Sequence, residues 1–387
     1  MTLMNDFDFY NPVRILFGKE RLPELKDLVP RNKKIMMIYG GGSIKKNGVY
    51  KRVKNALENH TVVEFGGIEP NPTHEKAMEA VEVLIKEQCS FILAVGGGSV
   101  IDAAKYIAAA VCYDGDPWEI LTDGAEIRRA LPLGVVLTLP ATGTEMNANS
   151  VISRKSTEEK LSFGDTNVMP VFSILEPDAA ASLPARQVAN GIVDSFVHVI
   201  EQYLTYPVNA PLQDRISEAI LQTLIEVGPK VYKNPADYDA MANLMWCSTM
   251  ALNGLISRGV PEDWSVHTIG HELTALHGID HARTLAIVLP GLWTVFKEKK
   301  FDKLLQYGRR VWKIDHLSDQ ETVDAAIGKT IDFFESLGVK TRLGNYNVGK
   351  TTIDIISERL EKRGLHHFGD RDMVSPEKTR EILHCRL

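Results

Sequence analysis

Two short runs, Gly40-Gly41-Gly42-Ser43 and Gly96-Gly97-Gly98-Ser99, limit how this chain can fold, because each directly follows five apolar residues. Ile35-Met36-Met37-Ile38-Tyr39 and Phe91-Ile92-Leu93-Ala94-Val95 show no polar alternation, so they read as strands covered on both faces, as in a parallel sheet. Glycine leaves no side chain where the backbone must approach an anion, and a helix that starts there offers free N–H groups. Either run alone could be a simple tight turn. Two of them, ending two parallel strands, point to a phosphate cradle, since ligands of open α/β sheets gather at the carboxyl ends of the strands. Neither run is the GxGxxG fingerprint.

The surrounding pattern supplies the rest of such a sheet. Thr61 to Phe65, Leu133 to Leu139 and Val171 to Leu175 read as further strands, and Ala77, Val81, Leu84 and Ile85 mark one face of a helix between Thr73 and Gln88. Beyond about Leu183 the β-rich runs give way to long helical patterns, such as Ile216, Ile220, Leu221 and Leu224, or Met241, Leu244, Met245 and Ser248. Proline punctuates the change at Glu176-Pro177-Asp178 and Leu183-Pro184. The expected architecture is a dinucleotide-binding α/β domain over 1–180, with a Rossmann-like parallel sheet, and an all-α metal-binding domain over 181–387. A chain of 387 residues suits two such units.

Composition excludes several classes of function. A formal charge of -6 is the wrong sign for nucleic acid as main partner. No apolar run reaches the length of about 18 residues that a membrane-spanning helix needs, and the first twenty residues lack the basic-then-apolar order of a secretory leader. Cys89, Cys112, Cys247 and Cys385 are scattered and form no CxxC. A cytoplasmic protein is expected.

The chemistry concentrates in Trp264 to Ala286, which holds His267, His271, His277 and His281. Spaced four apart, His267 and His271 leave one helix face a turn apart, and His281 follows an expected helix break at His277-Gly278. Asp194 and His198 repeat the four-residue spacing upstream. A carboxylate with several imidazoles is a donor set for Zn²⁺ or Fe²⁺. On the cofactor side, Gly40 to Ser43 carries no acid to bind a ribose 2′-hydroxyl, and Lys45-Lys46 follow. Space, a hydroxyl and positive charge favour NADP(H) over NAD(H). Asp102 and Lys105 fall on the first turns after Gly98, where the plain alternative is a helix-start acid and a surface base.

These residues together resemble the iron-containing (group III) alcohol dehydrogenase family, in particular its NADP(H)-dependent aldehyde reductase and butanol dehydrogenase branch. The likeness runs from Arg14-Ile15-Leu16-Phe17-Gly18-Lys19 to the C-terminal helices. It rests on Gly96-Gly97-Gly98-Ser99 with Asp102 and Lys105, on Thr142-Gly143-Thr144-Glu145, on Asp194 with His198, and on the spacing of His267, His271 and His281. The resemblance implies a dehydroquinate synthase-like architecture, with the active site in the cleft between its two domains.

By the same resemblance Asp194, His198, His267 and His281 are the metal ligands, His271 is a histidine near the substrate, and His277 is structural. Gly41, Ser43 and Asn71 would lie at the adenosine end, and Gly97, Gly98 and Ser99 at the pyrophosphate. Thr138, Thr142, Asn147 and Lys160 would line the rest of the cofactor, with Asp102 on the nicotinamide side as a catalytic candidate beside His271. Three departures from the family pattern stand out. Gly41 takes a place where NAD-preferring relatives tend to carry an acid, Pro140-Ala141 and Thr144 alter the commoner AGTGSE, and Asn147 replaces a threonine.

The expected activity is metal-dependent hydride transfer between NADP(H) and an aldehyde or primary alcohol, favouring aldehyde reduction, in a homodimer. A dehydroquinate synthase-like lyase and a glycerol dehydrogenase-like polyol oxidoreductase are the alternatives within the fold. A metal hydrolase would leave the glycine runs unexplained, and a non-enzymatic nucleotide-binding protein would leave the metal set unexplained.

Overall fold

The computed structural model describes residues 3–387. Apolar runs bounded by glycine and proline become six parallel strands: β1 (Arg14–Phe17), β2 (Ile35–Tyr39), β3 (Val62–Phe65), β4 (Phe91–Gly97), β5 (Leu133–Leu139) and, after a hairpin, β8 (Phe172–Leu175). Their order is β1-β8-β5-β4-β2-β3, and every pairing within the sheet is parallel. Every residue of β2 is buried, as is nearly all of β4 and β5. That burial explains the lack of alternation in their sequences. The hairpin, β6 (Asn149–Arg154) with β7 (Glu159–Gly164), is antiparallel and separate from the sheet.

Helices α1 (Val49–Ala56), α2 (His74–Lys86) and α3 (Gly98–Ala110) connect the strands. The chain leaves β2 for β3 on one side, then crosses back to enter β4 on β2's other side. This reversal puts the carboxyl ends of β2 and β4 next to each other, with Tyr39 paired to Val95, so both glycine runs leave the sheet at its topological switch point.

The chain divides into two compact units, and the division differs from a single cut near residue 180. One unit contains Tyr10–Pro184 and also Asn234–Thr249. The other contains the described residues up to Phe9, Ala185–Lys233 and Met250–Leu387. The amphipathic pattern around Met241 and Leu244 thus belongs to a helix, α6 (Tyr238–Ala251), most of which returns to the α/β unit. It is fastened there by Trp246 edge-on to Phe17 at 5.9 Å, by the Lys19 ammonium 4.3 Å from the Tyr238 ring, and by Thr249 Oγ1 donating to Glu145 Oε1 at 2.5 Å.

The second unit is helical throughout its regular structure. Its centre is α4 (Ala185–Tyr203), buried from Gly191 to Tyr203 on every face, as a helix surrounded by others must be. It packs against α5 (Pro211–Lys233) and α8 (His281–Val295), and α8 in turn packs against α7 (Ser265–His277). Gly278, left-handed at φ +64°, ends α7 at the expected break. Further helices, α9 (Phe301–Arg310), α10 (Asp319–Ser336), α11 (Lys350–Lys362) and α12 (Pro376–His384), complete it. No helix among the described residues is long and apolar enough to cross a membrane.

One glycine is required by the sheet itself. A Cβ on Gly134 of β5 would lie 2.3 Å from the Phe172 ring, which stacks on Phe91 at 6.3 Å across the core. Gly134→Ala should therefore cost about 1–3 kcal/mol by overpacking. Urea unfolding should show the lower midpoint, and adding Phe172→Leu should recover part of the loss.

Candidate active site

In the helical unit a single stripe on α4 organises the histidines. Asp194 and His198 stand one turn apart, and both are about 4% exposed. His198 Nε2 is 3.7 Å from Asp194 Oδ1, and His281 Nε2 approaches the same oxygen at 3.8 Å. Donor atoms of Asp194, His267 and His281 all fall within 4.8 Å of one another. The His198 and His267 rings lie 4.8 Å apart, nearly parallel, and those of His267 and His281 5.1 Å apart. His271 adjoins the group with its ring 5.0 Å from His281 and 6.3 Å from His267. His277 points elsewhere, its Nε2 hydrogen-bonded with Thr352 Oγ1 of α11 at 3.0 Å.

These residues fit a divalent metal. Asp194 Oδ1 is fully enclosed and accepts no hydrogen bond, a costly state for a carboxylate oxygen unless a cation satisfies it. The 3.7 and 3.8 Å separations are too long for hydrogen bonds. They are close to the roughly 3.3 Å between ligand atoms that share one tetrahedral ion. Burial holds the His198 imidazole neutral, with its pKa lowered to about 4, and neutral imidazole is the form that ligates. Burial, reinforced by Asp263, pushes the Glu201 carboxyl well up. A cation beside these groups favours their ionised carboxylates.

Two residues of this site escaped the sequence reading. Glu201, seven residues after Asp194 on the same α4 face, accepts from Val266 N at 2.7 Å and hydrogen-bonds His267 Nδ1. The i, i+4, i+7 series Asp194, His198, Glu201 was the available signal. Trp264, left-handed at φ +60°, forms a wall of the cluster, with its ring 5.2 Å from His267 and 6.2 Å from His198. Its position carried no sequence signal.

In the α/β unit the glycine runs lie where backbone alone fits. A Cβ on Gly97 would meet Leu139 at 2.8 Å, and one on Gly98 would meet Thr142 Oγ1 at 2.6 Å. The start of α3, with Gly98 and Ser99, is thereby set against Thr142. Gly41 is different, because a Cβ there would find no atom within 4 Å. Asn71, at φ +55°, accepts from Lys160 Nζ at 2.9 Å, so β7 is tied to the turn before α2. Thr138 is buried near the end of β5.

Lys105 is not a surface base. It is completely buried, and its ammonium donates to Thr144 Oγ1 at 2.7 Å, to the Asn147 and Asn149 carbonyls at 2.8 Å each, and to Asn147 Oδ1 at 3.0 Å. Asp102 joins the same network, accepting from Thr144 Oγ1 at 2.7 Å and from Val151 N at 3.1 Å. Burial lowers the Lys105 pKa to about 7 and raises those of Asp102 and Glu145. Thr144 and Asn147, two of the departures from the family pattern, are thus parts of one internal lattice that shapes the loop after β5. Lys45 is exposed and rests over two aromatic rings. Its ammonium lies 4.9 Å from the Tyr39 ring centre and 5.1 Å from that of Tyr50.

Comparison with known proteins decides the family. The model for iron-containing alcohol dehydrogenases matches residues 12–177, and that for the C-terminal part of the same family matches residues 188–369. The chain belongs to the iron-containing alcohol dehydrogenase family. The Escherichia coli NADPH-dependent aldehyde reductase YqhD is 52% identical over 98% of this chain and 99% of that protein. The Entamoeba histolytica NADP-dependent alcohol dehydrogenase 3 is 43% identical over 93% of this chain and 94% of its own length. The crystal structure of E. coli K-12 YqhD superposes with a TM-score of 0.98 at 50% identity, covering the whole of both chains. The parallel sheet followed by helices is therefore the dehydroquinate synthase-like architecture of this alcohol dehydrogenase family.

The Lys105 lattice gives a direct expectation for this family member. Lys105→Met would take the ammonium donor from the carbonyl of buried Asn147, at a cost of about 1–3 kcal/mol for a buried acceptor left unmet. Urea titration of the variant should show the drop in stability. The Michaelis constant for the nucleotide should rise as the loop from Thr142 to Asn149 loosens.

Proposed function

We infer that this chain is an oxidoreductase that transfers a hydride between NADP(H) and an aldehyde or primary alcohol with the aid of one divalent metal, Fe²⁺ or Zn²⁺, and that it works chiefly as an aldehyde reductase. The observation that carries this reading is the enclosed Asp194 Oδ1 between His198 and His281, in a family of iron-containing alcohol dehydrogenases. Likeness to an NADPH-dependent aldehyde reductase and an NADP-dependent alcohol dehydrogenase favours it over the lyase and polyol alternatives.

When bound, the metal supplies Lewis-acid polarisation of a carbonyl oxygen, and the reduced nicotinamide supplies the hydride. Asp194, His198, His267 and His281 hold the metal. His271, beside His281 but outside the tightest donor group, is placed to exchange a proton with the substrate oxygen. Gly97, Gly98 and Ser99, at the start of α3, receive the pyrophosphate on backbone N–H groups. Thr142, packed at Gly98, and Thr138 continue that surface, and Asn71 with Lys160 lies toward the adenosine. Asp102 has both carboxylate oxygens engaged by Thr144 and Val151, so it acts by fixing the loop after β5. Asn147 acts likewise through Lys105. Gly41, with Ser43 beside it, provides the room for a 2′-phosphate.

The finer setting follows from surface and thiols. A homodimer is supported by Leu3, Phe7, Phe9 and Tyr10, apolar residues exposed near the chain start. A cytoplasmic site is supported by four cysteines that are all free thiols. Light scattering in solution tests the dimer, which a monomeric mass would refute.

Mixing metal-replete protein with NADPH and short aldehydes should consume the cofactor's near-ultraviolet absorbance, and no turnover across the panel would refute the activity. His267→Ala should lose bound metal and activity together. Gly41→Asp should enter the open space without steric cost and set a carboxylate against a 2′-phosphate. Its kcat/KM for NADPH should fall by about tenfold or more while that for NADH holds or rises. An unchanged ratio would remove Gly41 from the adenosine end.

A further inference from the structure

Glu201 binds one short segment of chain at three points. Its backbone carbonyl accepts from Asp263 N at 2.8 Å, its Oε1 accepts from Val266 N at 2.7 Å, and its Oε2 is hydrogen-bonded with His267 Nδ1. The carboxylate is 2% exposed. A side chain taken this far from water could have been replaced by an apolar one if it only filled space. Instead it meets the first turn of α7 where that helix presents His267 to Asp194 and His281.

We propose that Glu201 is the positioning residue of the metal centre, fixing the ring of His267 and the tautomer in which Nε2 presents its lone pair to a metal. The chemistry is specific. Val266 N–H is a donor, so Oε1 accepts, and once a cation beside it keeps the carboxylate ionised, Oε2 accepts the Nδ1 proton of His267. Imidazole with its proton on Nδ1 offers Nε2 as a ligand, oriented and made more basic by the carboxylate behind it. Because Glu201 shares the α4 face with Asp194 and His198, that one helix supplies two ligands directly and aims a third. The proposal rests on the ligand set given above.

Glu201→Gln separates this part from packing, because an amide has one acceptor for two donors. If its oxygen faces Val266, its NH₂ faces Nδ1 and moves the ring proton to Nε2. If its oxygen faces His267, its NH₂ opposes Val266 N–H. Zinc affinity of the full chain, measured by competition with a chromophoric chelator, should fall 10–100-fold. The melting temperature of the metal-free protein should hold or rise.

A drop in metal-free stability with unchanged zinc affinity would make Glu201 structural and overturn the proposal. The loss should disappear when His267→Ala is already present, and an equal loss in both backgrounds would mean that Glu201 does not act through His267. His267→Ala at full zinc affinity would instead overturn the underlying ligand set. Weakened binding by His267→Ala beside an unaffected Glu201→Gln would overturn the Glu201 assignment alone. The unmutated protein offers a further check, with a variant needed only to assign the signal. With ¹⁵N-labelled histidine, the signal missing in His267→Ala should report a proton on Nδ1 and the metal on Nε2 in the zinc-loaded state, and a proton on Nε2 would refute the assignment.

Discussion

The enclosed oxygen of Asp194 is the constraint on which the helical unit depends. A carboxylate oxygen out of contact with water and hydrogen-bond donors is expensive, and here two imidazoles face it at distances too long to relieve it directly. A helix buried on every face carries it, so the oxygen cannot turn outward to solvent. A positive charge shared among its members would satisfy the set as a whole. Even the anchors fit this requirement. Asn190, four residues before Asp194 on α4, donates to Asp280 at 2.8 Å, and so holds the start of α8 next to His281. Asn190, Asp194, His198 and Glu201 thus form one line of contacts along a single helix.

Electrostatics take a different form in the α/β unit. There a buried amine, Lys105, is already present in the chain, and two backbone carbonyls, the Thr144 hydroxyl and the Asn147 amide oxygen satisfy it without a ligand. The network freezes the loop between β5 and β6, and Gly98 locks that loop to the first turn of α3 through Thr142. A phosphate cradle benefits from such rigidity, because N–H groups fixed beforehand need no reorganisation to receive an anion. The helical unit leaves a positive charge to be supplied from outside, and the α/β unit has its own.

Most of the fold was legible because burial on two faces writes itself directly into sequence. β2 and β5 begin and end where their apolar runs do, and α2 spans the run from His74 to Lys86 within the predicted limits. β1 was overlooked because Arg14 is exposed and only Leu16 of its four residues is fully buried, as on an edge strand. The β6–β7 hairpin was overlooked for a similar reason, since Asn149–Arg154 and Glu159–Gly164 are largely polar and joined by residues 155–158 without a glycine turn. An amphipathic face told that α6 would be buried, but not against which unit. In the site, the four-residue spacings of Asp194/His198 and His267/His271 were local and readable. Lys105 was misjudged because its acceptors lie some forty residues away and nothing near it in sequence predicts them.

The return of α6 also has a bearing on how the molecule is made. Residues up to Pro184 leave the ribosome carrying every strand of the sheet, yet their unit still lacks Trp246 against Phe17 and Thr249 against Glu145. Before that helix can arrive, Ala185–Lys233 of the other unit must be synthesised. The two units are interleaved along the chain, so neither can finish folding during translation before the other has begun. Gene fusion of two finished domains end to end would not produce this order. The α/β half remains open until residue 249 has emerged, with Glu145 waiting in its core for the last donor.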